Sequence, residues 1–170
     1  RAISMAIDRQ GIIEGVYMRG EPTPAIARGA TEWSLPVDQL GEGAKYYQYN
    51  LKEARHLLAE AGFAKGLKTQ LNTTGGYGPD LLDAVQLVQH YLKDVGIEVE
   101  IKTQEYGAYM STTFLGKFEG MSMGPLSITW EPDSVLYGMY APDQPRNSGH
   151  VNDPKLTAML KTQRHTRDLE

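Results

Sequence analysis

Apolar residues recur along the chain in two rhythms, and the places where the rhythm changes mark its elements. Leu51, Ala54, Leu57, Leu58 and Ala61 return every three or four positions, which predicts a helix with one buried stripe. Asn50 is placed to cap that helix, with Glu53 at the third helical position in a variant of the capping box, and Gly62 stops it. Leu67, Thr69, Leu71 and Thr73 then alternate with polar residues, as a strand does. The turn Thr74-Gly75-Gly76-Tyr77-Gly78 follows, and Pro79 opens a helix carrying Leu81, Leu82, Val85, Val88, Leu92 and Val95. Gly96 ends it, and Ile97, Val99 and Ile101 alternate with Glu98, Glu100 and Lys102 as a second strand. Strand, helix and strand joined by short links form a βαβ unit, so the two strands should be parallel with a right-handed crossover.

The flanks are less regular. Residues 2–7 and 9–18 predict two helical stretches, with Asp8 capping the second and Ile12, Ile13, Val16 and Tyr17 on its buried face. Residues 19–46, rich in Pro and Gly around Trp33, predict a long irregular excursion. A shorter helix is expected at about 106–115, a strand at 118–123, and a loop-rich stretch at 124–152 interrupted by a short helix around 134–140. Asn152-Asp153-Pro154 is a helix start leading into Leu156, Met159 and Leu160. No repeat or low-complexity tract interrupts the order, so residues 1–170 are expected to form a single α/β domain.

Composition narrows the function classes. With 17 Lys+Arg against 21 Asp+Glu and no basic block, the net charge of −4 argues against nucleic acid as a partner. No run approaches the ~18 apolar residues a membrane helix needs. The absence of Cys removes disulfides, thiolate nucleophiles and most structural zinc sites together, without assigning a compartment. The four His show no metal-ligand spacing and no calcium loop is present, so neither a metal nor another cofactor is expected. The chain opens at Arg1 inside an apolar pattern and stops at Glu170 in a continuing charged pattern, so it is expected to be a piece of a longer protein.

Candidate chemistry is concentrated in a few places. Gly120-Met121-Ser122-Met123-Gly124 fits G-x-S-x-G, the spacing that sets a nucleophilic Ser on a sharp strand-to-helix turn. Asp133 or Asp143 and then His150 complete the chain order Ser, Asp, His, which makes a serine hydrolase using Ser122 and His150 the alternative to a binding function. Against it, Pro125 follows the motif at once, no helical pattern succeeds it, and no HGGG-type oxyanion element is present. The Gly75–Gly78 turn lies at the carboxyl end of a strand, where α/β domains place ligand contacts, and it carries Tyr77. Ten Tyr and two Trp against three Phe favour side chains with an apolar face and a polar tip, as small-molecule sites use. Trp33 and Trp130 are ligand candidates on that ground, each with the plainer alternative of a plug between loop and core. Asp133 lies beside Trp130 in a Pro-flanked loop.

The order of segments resembles the family 5 extracellular solute-binding proteins, the peptide- and nickel-type receptors of ABC importers. The resemblance rests on Arg1-Ala-Ile-Ser-Met-Ala-Ile-Asp8-Arg9 followed by Ile12-Ile13 and Gly20, and on Tyr49-Asn50 through Gly62-Phe63 with its Leu-Leu-x-x-Ala-Gly-aromatic ending. Val88-Gln89 through Ile101, Glu131-Pro132-Asp133 and Asn147 through Leu156 continue it in the right order.

This resemblance implies most of the second lobe of a two-lobed receptor with the type II periplasmic-binding-protein fold, a mixed sheet with flanking helices. It implies a solute held between lobes, hinge closure, and delivery to a membrane permease without catalysis, and the residues expected to meet that solute on this side are Trp130, Asp133, Tyr77 and Trp33. A monomer is expected, in the periplasm or outside the cell, free or tethered to the membrane. Peptide receptors of the family place an Asp ahead of the D-P-D loop for the peptide amine, and dipeptide receptors an Arg on the βα loop for the carboxylate. Here Gly124-Pro-Leu-Ser-Ile-Thr-Trp130 has no carboxylate and Thr74-Gly75-Gly76-Tyr77 no Arg. A buried ionised terminus without its partner is costly, so a sugar or opine-like solute is favoured over a zwitterionic dipeptide.

Overall fold

Helix α3 (Leu51–Glu60) shows how closely local chemistry sets the boundaries. The Asn50 side chain accepts from the Glu53 amide at 3.0 Å. The Asn50 amide itself donates to the Met5 carbonyl at 2.8 Å, so the cap also ties α3 to the first helix. At the other end Gly62 takes φ +88°, Phe63 N–H reaches the Leu58 carbonyl and Gly62 N–H the Ala59 carbonyl, which is a Schellman closure. The computed structural model describes residues 1–24, 26, 33–125 and 132–166.

Strands β1 (Leu67–Thr74) and β2 (Ile97–Gln104) pair in parallel from Leu67↔Ile97 to Thr74↔Gln104, and α4 (Pro79–Asp94) crosses between them. A third strand, β3 (Met121–Ser122), pairs in parallel with Leu71 and Asn72, giving the order β2-β1-β3. The α/β architecture with flanking helices is therefore as expected. Of the mixed sheet implied by the resemblance, only parallel pairings are found among the described residues. Gly66 stands where the entry to β1 touches the exit from α4: its φ is +82°, and a Cβ there would collide with the Gly96 carbonyl.

The main core lies on one face of this sheet. Leu71, Ile97 and Val99 meet Leu81, Val85, Val88 and Leu92 of α4. Helix α1 (Ala2–Ala6) and α3 close the far side with Met5, Ala6, Ala54 and Leu58. Burying each large aliphatic side chain contributes about 1.5–3 kcal/mol, so this cluster carries most of the lobe's cohesion. A second, separate cluster holds Tyr137, Ala141 and Leu160 between α6 (Pro132–Tyr140) and α7 (Pro154–His165).

Several expected elements differ in detail. After α2 (Arg9–Ile12), capped by Asp8 as expected, the chain widens into a π turn over Ile13–Tyr17. The extra residue in that turn shifts the phase of the stripe, and Tyr17 emerges 42% exposed instead of buried. The excursion before residue 46 contains 3₁₀ turns at Val37–Gln39 and Gly41–Tyr47. The helix expected at 106–115 splits into α5 (Tyr106–Ser111) and a 3₁₀ turn at Thr113–Leu115. Ser111 and Thr112 hydroxyls bond back to the Gly107 and Ala108 carbonyls at that break, competing with the helix ladder.

The strand expected at 118–123 shrinks to two residues. The Asn72 side chain takes the Glu119 and Met121 carbonyls at 2.8 and 3.0 Å, and Gly120 bends the backbone at φ +75°. On α7 only Leu160 is buried, while Met159 is 61% exposed rather than part of a packed stripe.

Candidate functional site at the carboxyl edge of the sheet

Parallel strands deliver their following loops to one edge, and the register Thr74↔Gln104 sets the loops after β1 and β2 side by side. The first loop is a 3₁₀ turn, Gly75–Tyr77, whose start is fixed by the Thr74 hydroxyl accepting from the Gly76 amide at 3.2 Å. The second begins with Glu105, whose carboxylate caps α5 by accepting from the Ala108 amide at 3.1 Å. Backbone N–H groups of Gly107 and Ala108 hold that carboxylate below its ordinary value.

Where the two loops meet, Tyr77 and Tyr106 pack edge to face with ring centroids 5.3 Å apart, and the Tyr77 hydroxyl contacts the Met110 sulfur at 3.5 Å. Gly76 makes this possible, because a side chain there would run into the Tyr106 ring. Tyr77 is 40% and Tyr106 44% exposed, so the pair presents an aromatic surface to solvent. Tyr106, first by hydrogen bonding, raises the Tyr77 phenol above its ordinary value, so Tyr77 remains a neutral donor near neutrality. Behind them Tyr109 is buried and lies against Gly124, where the chain leaves β3.

The other candidates fall in different neighbourhoods. Asp133 stands in the first turn of α6, with Oδ1 buried and 3.1 Å from Nε of Arg164 on α7. The Arg164 guanidinium also lies 4.2 Å from the centre of the Tyr137 ring, and the Tyr137 hydroxyl donates to Asp143 at 3.2 Å. Trp33, 46% exposed, borders a groove of about 550 Å³ along α7 with Ala158, Met159 and Thr162. Trp130 lies outside the described residues, as does Glu131. Sequence reasoning named Tyr77 but missed Tyr106, Met110 and Arg164. The βα register already places position 106 beside position 77, whereas nothing in the spacing links residues 133 and 164.

The serine hydrolase alternative finds no support. Ser122 sits in the two-residue β3 beside Asn72, and no helix follows it directly. His150 Nε2 is instead 3.0 Å from the Gly116 carbonyl, and no hydrogen bond joins it to Ser122 among the described residues. Asp143 serves the Tyr137 hydroxyl. Among the described residues no group of three or more His, Cys, Asp or Glu could hold a metal ion, and no helix is long and apolar enough to cross a membrane.

Comparison with known proteins agrees with the segment order. A di/tripeptide-binding protein of Pseudomonas aeruginosa is 28% identical over 146 residues, covering 84% of this chain and 26% of that protein. The periplasmic binding protein DppA of Helicobacter pylori, solved with the peptide STSA, superposes with a TM-score of 0.76 at 27% identity, over 98% of this chain and 32% of that one. The binding protein AgaA of A. tumefaciens R10, solved with agropinic acid, gives a TM-score of 0.79 at 26% identity, over 99% of this chain and 34% of that one. The chain thus spans about a quarter to a third of the length of the proteins it matches. The sequence model of the bacterial extracellular solute-binding proteins, family 5 middle region, matches residues 1–147. With the parallel α/β architecture already described, this match shows that the chain belongs to the family 5 bacterial extracellular solute-binding proteins.

Proposed function

We propose that this chain forms one lobe, residues 1–170, of the solute receptor of an ABC importer. It captures a small solute between two lobes and hands it to a membrane permease. The observation that carries this reading is the family match over residues 1–147, joined to an exposed Tyr77–Tyr106 pair at the edge where parallel sheets present ligand contacts. Tyr77 and Asp133, with Trp33 and Trp130, are the residues assigned to this lobe's half of the site. No chemistry is done on the solute, and the receptor works in the periplasm or outside the cell, free or tethered.

The relatives support a peptide or a peptide-sized metabolite, since the solved ones include complexes with a tetrapeptide and with agropinic acid. Within that range a weakly charged, hydroxyl-bearing solute suits this lobe best. Tyr77 and Tyr106 offer aromatic faces and neutral hydroxyls, and neither the 74–77 loop nor residues 124–130 contain a charged side chain. Native mass spectrometry of the full-length receptor, purified gently from its host, tests both points. A single co-purified adduct of sugar- or opine-like mass is the expected result. A ladder of peptide masses would overturn the solute preference, and no adduct from any preparation or added solute would overturn the receptor reading.

A further inference from the structure

Tyr109 lies three residues beyond Tyr106 on α5, a spacing that sets the two side chains next to each other along the helix. Their surroundings differ. Tyr106 reaches solvent, whereas Tyr109 is only 4% exposed and sits behind the aromatic pair, where α5 packs against the end of β1. Its hydroxyl ends against Gly124, just past β3. A Cβ at that position would collide with the oxygen, so the missing side chain is what gives the hydroxyl its place. The Tyr77 phenol is raised first by hydrogen bonding with Tyr106, then by burial, and further by Tyr109, which sets the third hydroxyl in the neighbourhood of the other two.

A tyrosine this deeply buried normally spends its hydroxyl on a partner. Polar groups nearby follow that rule: the Thr113 hydroxyl donates to Gln104 at 2.6 Å, and the Thr74 hydroxyl accepts from the Gly76 amide. The Tyr109 hydroxyl makes no hydrogen bond among the described residues. Burial raises its phenol above the ordinary value of 10, so near neutrality it is an intact donor with no acceptor. A buried donor without an acceptor is costly, and a phenylalanine ring would fill the same space without that cost. A hydroxyl kept under those conditions departs from the rule the rest of the edge obeys, and such departures concentrate at functional sites.

We propose that Tyr109 is a specificity residue of the solute site: its hydroxyl, given room beside Gly124, donates a hydrogen bond to an uncharged oxygen of the solute, a carbonyl or a hydroxyl. This rests on the receptor reading above and deepens it. Tyr77 and Tyr106 supply the aromatic surface on which the solute lies, and Tyr109 reads an acceptor at its inner end. Discrimination follows from burial, because a solute lacking that oxygen seals the site and leaves the hydroxyl unpaired. A phenol takes a neutral acceptor without any counter-charge, in keeping with the 74–77 loop, which carries no charged side chain.

The test uses the full-length receptor freed of bound solute, as wild type and as Tyr109→Phe, in thermal melts and in calorimetric titrations with the tetrapeptide Ser-Thr-Ser-Ala, agropinic acid and sucrose. Tyr109→Phe deletes one oxygen and keeps the ring. Without solute the melting midpoint should be unchanged or higher, since no internal hydrogen bond is lost. Affinity for whichever probe the wild type binds should be weaker by about tenfold or more, and the rise in melting midpoint caused by that probe should shrink in parallel. A hydroxyl with a merely structural role would instead lower the solute-free midpoint, and that result overturns the proposal. So does a folded Tyr109→Phe receptor that binds as tightly as the wild type. A wild type that binds none of the three probes overturns the peptide-, opine- and sugar-like classes proposed above, and this refinement with them.

Discussion

The Gln89 side-chain amide on α4 donates to the Val99 carbonyl of β2 at 2.7 Å. Its importance follows from the strand geometry. The Gly96 carbonyl accepts from Leu67 of β1, so alternation turns the carbonyls of Ile97, Val99 and Ile101 away from β1. Among the described residues β2 pairs with β1 alone, which makes that outward side a free sheet edge. Gln89 covers one of its acceptors, and the charged Glu98, Glu100 and Lys102 discourage a second strand from adding there. Gln89→Leu should cost about 1–2 kcal/mol in urea unfolding and introduce concentration-dependent association in sedimentation velocity. A variant that stays monomeric with unchanged stability would show that the edge needs no such cover.

Asn50 has two roles at one helix start, since its side chain caps α3 and its backbone amide meets Met5. Asn50→Ala keeps the backbone link and loses only the cap. The expected loss is about 1 kcal/mol, read from the midpoint of denaturant unfolding, and Asn50→Asp should recover nearly all of it.

Glu105 supplies the pH dependence of α5. Its carboxyl lies below the ordinary value of 4.5 because the Gly107 and Ala108 amides, in that order of effect, bond the charged form. The folded value is the lower one, so the cap's contribution is present above 4.5 and is lost as pH falls through the folded value. The Gly107 and Ala108 amide resonances should therefore titrate with a midpoint under 4.5, and Glu105→Gln should flatten both curves. A midpoint at or above the ordinary value would contradict the capping role.

Gly76→Ala tests the geometry of the aromatic pair. The added methyl meets Tyr106 at its Cβ as well as its ring, so the start of α5 must shift along with the ring, and global stability should fall by about 1–3 kcal/mol. The edge-to-face contact with Tyr77 should be lost, visible as a downfield return of the ring-shifted Tyr77 proton resonances. Solute affinity of the full-length receptor should drop about tenfold, the scale set by losing a pre-formed aromatic surface.

The βαβ unit was legible because both signals it uses are local. Alternation at Leu67–Thr73 and Ile97–Ile101, a stripe from Leu81 to Val95, and stops at Gly78 and Gly96 leave little freedom. The same logic reached Tyr77 but stopped short of Tyr106, although parallel register makes the two neighbours. What stayed hidden depends on side chains acting on distant backbone. The Asn72 amide occupies the Glu119 and Met121 carbonyls and shortens β3, and no periodicity announces that. The π turn at Ile13–Tyr17 defeated a pattern drawn at 3.6 residues per turn. The Asp133–Arg164 pair joins two helices across a loop, and its partner choice is decided by how Tyr137 and Leu160 pack.

The two separate cores give the lobe two tiers of cooperativity. Among the described residues, opening the α6–α7 pair exposes Val135, Tyr137, Ala141 and Leu160 with their partly buried neighbours, whereas opening the sheet exposes the whole larger cluster. Amides of α6 and α7 should accordingly exchange with deuterium through a sub-global event, at a lower free energy than those of α4 and β1. The Asp133–Arg164 pair and the head of α6, which the proposed receptor reading sets toward the solute, are mounted on the less stable tier. Solute capture would therefore register first as slowed exchange in α6 and α7, while the sheet beneath keeps the protection it already had.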